Sequence, residues 1–172
     1  STAFLHTLYI QQQRGMFKAW NMLLIILTFS LVLFGTFITR SGLIDSVHTF
    51  ARSPVGPAFL GFVVLNTLAA VALLIRRRQV LRNETALVSL WSREAVFGLA
   101  SLLFVTLACS VFVGTVSPVV SEWLSGQKFV VGAAWFSRVT GPQFGLLVLL
   151  TGTAPLCRWV AGSTKRLWGG LR

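Results

Sequence analysis

The chain has 172 residues, 55% of them hydrophobic and only 11% charged, with fourteen phenylalanines, six tryptophans and a net charge of +11. So few charges cannot cover a water-soluble domain of this size, and several separate apolar runs are long enough to cross a hydrocarbon layer about 30 Å thick. The basic excess does not point to nucleic acid, because the cations sit between the apolar runs, where they mark topology and meet lipid headgroups.

The expected fold class is all-α: one polytopic transmembrane helix bundle over residues 1–172, with about four full spans and a truncated N-terminal half-span. Ser1 to Ile10 is apolar around His6 but too short to cross, and reads as the second half of a helix. A fragment, or one product of a split gene, is therefore expected. Gln11 to Lys18 is a polar, basic loop with Gly15 as its breaker. Trp20 to Ile38 is the first complete span, with Trp20 at its basic end as an interfacial aromatic.

Next comes Gly35 to Arg52, GTFITRSGLIDSVHTFAR, which carries His48 with Asp45 three residues before it and Arg40 and Arg52 on either side. Pro57 suits the first turn of the second span, Ala58 to Ile75, which ends at Arg76, Arg77 and Arg78. Gln79 to Arg93 reads as a polar connection with an interfacial helix. Ser92 is placed to cap the third span and Glu94 to complement its dipole.

That span runs from Ala95 to about Val116 and is expected to stop at Ser117-Pro118. Ser121 to Thr140 reads as a loop lying along the membrane surface through Trp123, Phe129, Trp135 and Phe136. Gly141-Pro142 then opens the last span, Gln143 to about Trp159. Cys109 and Cys157 fall at depths too different for the ~7 Å Cα separation a disulfide tolerates, and read as buried apolar fillers.

Eleven of the fifteen basic residues gather on one face, which the positive-inside rule assigns to the cytoplasm. The His48 loop then faces the outer compartment, and His6 lies about 12 Å inside the membrane from the cytoplasmic edge. Three readings of His6 stand: a neutral histidine bonded to a neighbouring helix, a member of a proton path, or a ligand of a metal or haem iron. For His48 the alternatives are a solvated loop histidine or an iron ligand oriented by Asp45, with Arg40 and Arg52 free to meet carboxylates. Either arginine could equally snorkel at the interface. No nucleophile–base pair, paired carboxylates, phosphate-cradling glycine loop or zinc spacing occurs, so hydrolytic and phosphoryl-transfer chemistry is not supported.

TAFLHT, QQQRGMFKAWN, TFSLVLFGTFITRSGLIDSVHTFA, SREAVF, GTVSPVV and VGAAWFSRVTGP together resemble the CcmF-type haem lyase subunits of cytochrome c maturation, over nearly the whole chain. The resemblance covers the part that follows the family's tryptophan-rich WWD loop. It implies that His6 is an axial ligand of a resident haem b. It implies that His48 is an axial ligand of the haem handed to apocytochrome c at the outer face. The implied setting is the bacterial inner membrane (or the mitochondrial one) with the His48 loop in the periplasm.

The implied partners are the remainder of a CcmF-like protein, a CcmE-type haem chaperone, a CcmH-type subunit presenting apocytochrome c, and membrane lipid. With two histidines the chain is not expected to complete either bis-histidine site alone, so it is read as a component of a lyase rather than a self-sufficient enzyme. A transporter or scaffold subunit with structural histidines is the alternative.

Overall fold

Five α-helices and one 3-10 turn make up the described residues, 1–41, 56–83 and 92–156, of this computed structural model. They are α1 (Thr2–Arg14), α2 (Lys18–Ser41), α3 (Gly56–Arg76), α4 (Arg93–Ser125) and α5 (Ala133–Thr153), followed by the turn Ala154–Leu156. Three stretches are long and apolar enough to cross a membrane: Lys18–Thr39, Ala58–Arg76 and Arg93–Ser125. Little of each is buried within the chain, 11%, 6% and 17% respectively, so most of their apolar surface must face lipid or other helices.

The helices pack in a row: α3 on α2, α2 on α1, α1 on α4, and α4 on α5. A hydroxyl pair, Ser30 and Thr67 at 2.9 Å, ties α2 to α3. Side chains alone bridge α2 to α4. Trp20 Nε1 donates to Ser101 Oγ at 2.8 Å, and the rings of Phe34 and Phe112 meet at 5.5 Å. Trp20 thus serves as a tie between helices, a role its basic neighbours in sequence did not announce. The buried apolar residues are few and mostly at these seams, among them Ile10, Leu24, Ala100, Leu147 and Leu150.

Polar contacts bring the basic residues to one end. Arg14 pairs with Glu94 at 3.3 Å, the Lys18 amide donates to Asn83 Oδ1 at 3.4 Å, and Arg93 donates to the Pro155 carbonyl at 3.1 Å. Arg76 closes α3, and Arg77, Arg78 and Arg82 follow it, all four exposed. Ser92 caps α4 as expected, accepting from the Ala95 amide at 3.2 Å. Glu94 falls in the first turn.

Three boundaries and one burial differ from the sequence reading. Helix α1 runs through the glutamines to Arg14 before Gly15, left-handed at φ 65°, ends it with its amide on the Gln11 carbonyl. Gln residues are good helix formers, and Gln11 Oε1 also accepts from Asn21 Nδ2 at 2.6 Å, so the helix has reason to continue. Helix α4 does not stop at Ser117-Pro118 but carries Pro118 inside it and runs to Ser125. Of the expected surface loop, only residues 126–132 are non-helical, and α5 starts at Ala133 with Pro142 inside it. Cys109 is exposed on α4 rather than buried.

The continuation past Pro118 has a local cause. Proline has no amide to offer the carbonyl four residues back, here that of Gly114, and Ser117 Oγ donates to that carbonyl at 2.8 Å instead. Ser117→Ala should therefore cost about 1 kcal/mol, the worth of one intramolecular hydrogen bond, while Ser117→Thr retains the hydroxyl. Thermal unfolding in detergent checks this; an alanine variant melting like the parent would remove the explanation. Because α5 carries Arg138, Pro142 and Gln143, it is less apolar than the other long helices and does not join the three that qualify as spans.

Candidate functional site

His6 is half-buried on α1, one turn from the start of the helix. Its Nδ1 lies 2.9 Å from the Thr2 carbonyl oxygen, four residues back on the same helix. A carbonyl can only accept, so the imidazole donates from Nδ1. No hydrogen-bond partner engages Nε2 among the described residues. This bond lies within α1, whereas one of the three readings of His6 had it reach a neighbouring helix.

Two rings of α4 hold the imidazole from the side: Phe97 at 5.6 Å and Phe104 at 5.7 Å between centroids, both tilted. Phe104 also lines an open-sided cavity of about 350 Å³ between the first residues of α1, the middle of α2 and α4. Leu24, Leu27, Leu31 and Val105 make its walls apolar, with the Thr28 hydroxyl and the start of α1 as the polar part. A second groove, of about 410 Å³ at the α4–α5 tip, has no ionisable residue in its lining.

The rotation of α1 about its axis is set by α2. Asn21 is fully buried, its Oδ1 hydrogen-bonded to the Thr7 hydroxyl and its Nδ2 to Gln11. Thr7 follows His6 directly, so this network and the Phe97–Phe104 pair grip adjacent faces of the same turn.

An imidazole that donates from Nδ1 to a carbonyl and leaves Nε2 open has the arrangement usual for a metal-binding histidine. No group of three or more His, Cys, Asp or Glu occurs among the described residues. A bare ion needs several protein donors, whereas a porphyrin iron asks the protein for only one or two axial ones. The donor set around His6 therefore fits a haem iron better than a free cation.

His48, Asp45 and Arg52 lie outside the described residues. Arg40 falls in the last turn of α2, and its side chain also lies outside them. Sequence reasoning missed Thr2, Phe97 and Phe104 as neighbours of His6. The signal was present in α4, where Glu94, Phe97, Ser101 and Phe104 recur at three- and four-residue steps and so share one face.

No family model matches the chain. Over 170 residues, 99% of this chain, it is 36% identical to the cytochrome c-type biogenesis protein CcmF of Pseudomonas fluorescens, covering 26% of that protein. It is 37% identical over 159 residues to the CcmF of Escherichia coli K12, covering 92% of this chain and 24% of the relative. A solved structure described as cytochrome c heme lyase CcmF superposes with a TM-score of 0.67 at 34% identity, over 94% of this chain and 22% of that one. The chain thus spans about a quarter of the length of the curated relatives it matches. With sequence and fold in agreement over more than nine-tenths of its residues, the chain belongs to the CcmF-type cytochrome c biogenesis proteins.

Proposed function

We propose that the chain is part of a cytochrome c maturation haem lyase, in which it binds haem b within the membrane and helps position haem at the outer face for attachment to apocytochrome c. The observation that carries this reading is the state of His6: Nδ1 committed to the Thr2 carbonyl, Nε2 open, and the ring steadied by Phe97 and by Phe104, which also lines an apolar cavity. The names of the relatives supply the pathway.

In this reading His6 would hold the iron of haem b and His48 that of the haem to be transferred. Asp45 orients the His48 ring, and Arg40 and Arg52 hold propionate carboxylates through charge-assisted hydrogen bonds. Bound haem supplies the redox-active iron and the vinyl groups that react with cysteine thiols. The protein contributes seating and orientation, and it keeps water from the apolar cavity wall. In the same reading the Arg14 and Arg76–Arg78 face is cytoplasmic and the His48 loop periplasmic in an inner membrane, an orientation supported by the excess of basic residues at that face. A CcmE-type chaperone, a CcmH-type subunit with apocytochrome c, and the remainder of a CcmF-like protein are the partners this role requires.

The test is spectroscopic. Membranes carrying the chain together with its maturation partners should yield a preparation with a Soret band, and His48→Ala should abolish cytochrome c maturation while leaving haem b in place. A colourless preparation from the parent protein would favour the scaffold or transporter reading.

A further inference from the structure

We infer that the Arg14–Glu94 ion pair sets the register of α1 on α4 and so positions the His6 ring, making both residues positioning residues for the site; this rests on the haem reading only for its consequence at the iron. Helix α1, Thr2–Arg14, packs lengthwise on α4. Two sets of side-chain contacts join them. At one end Arg14 Nη2 meets Glu94 Oε1 at 3.3 Å. At the other, His6 sits against Phe97 and Phe104.

Those two sets share one face of α4 and run in opposite directions along the two helices, as antiparallel packing demands. The aromatic contact by itself does not define a register, because a ring slides along other rings at little cost. A carboxylate does define one. Glu94 is 4% exposed, its backbone is fixed in the first turn by the Ser92 cap, and its Oε2 has no hydrogen-bond partner among the described residues. A buried charge with one partner cannot give that partner up.

Phe17 adds a second pin beside the first. It adopts the left-handed conformation at φ 61°, rare for a bulky residue, and its ring covers Gly98, where an added Cβ would come within 3.0 Å of it. The turn after α1 is thereby pressed on α4 one helical turn from Glu94. A slip of one residue would move His6 by about 1.5 Å along the helix and turn it by roughly 100°. Nε2 would then leave the position the Phe97–Phe104 cradle gives it.

The experiment compares Glu94→Gln, Arg14→Gln and Arg14→Lys in the full chain reconstituted in nanodiscs. Hydrogen exchange of the α1 amides, read without haem, should quicken on the order of tenfold or more in the two glutamine variants and stay near the parent in Arg14→Lys, with α5 unaffected. In the haem-loaded assembly the same two variants should gain a high-spin component in their absorption spectra while Arg14→Lys keeps the parent spectrum. Unchanged exchange in Glu94→Gln and Arg14→Gln overturns the inference, and so does loosened exchange with an unchanged haem spectrum. If His6→Phe leaves the haem spectrum intact, the haem reading itself fails, and the exchange result alone then decides whether the pair sets the register.

Discussion

Replacing His6 with phenylalanine should reduce bound haem b by at least about tenfold while leaving the fold in place. The magnitude follows from the tenfold to hundredfold loss in metal affinity that even the partners of a metal ligand usually cause when mutated. Phenylalanine is the informative substitution because it keeps a ring between Phe97 and Phe104, where the imidazole now sits at 5.6 and 5.7 Å. It removes both nitrogens, so the Thr2 carbonyl loses its side-chain donor, and the helical amide of His6 itself remains to cover that carbonyl's turn.

His6→Ala should lose haem as well, but it also opens space beside the cavity, so its effect mixes ligation with packing. Haem stoichiometry by the pyridine haemochrome method, with melting temperature alongside, separates the two. Parent-like haem content in His6→Phe would show that the ring is there to pack.

The second large effect is expected at Gly114. A Cβ at that position would lie 2.6 Å from two ring atoms of Phe136 and 2.7 Å from Trp135, closer than real Cβ contacts come. The two rings already meet edge to face at 5.1 Å, so neither can retreat into the other. Gly114→Val should therefore destabilise the α4–α5 hairpin by about 1–3 kcal/mol, with the alanine variant at the lower end. Phe136→Leu should relieve part of it, and a double-mutant cycle should return a coupling energy of about 0.5–3 kcal/mol. Additive effects in that cycle would mean the rings simply swing outward.

These expectations separate what composition and pattern could state from what they could not. Apolar length settles membrane spans because the bilayer imposes one thickness on every crossing segment, and α2, α3 and the body of α4 came out where runs of apolar residues ended in charges. Ser92 and Glu94 were legible for a similar reason: a helix start leaves unpaired amides, and few side chains can meet them.

The end of α4 and the start of α5 were not legible, because proline breaks a helix only when nothing else serves the carbonyl it abandons. Here Ser117 does so, a fact of side-chain direction rather than of residue type. The site divides the same way. That His6 was a candidate followed from an ionisable group inside an apolar run, and the family resemblance followed from motifs in chain order. Which rings flank it and which carboxylate across the bundle holds its helix depend on residues eighty or more positions apart meeting in space. Periodicity constrains one helix face at a time; the pairing of two faces is set by the packing energy of the assembled bundle.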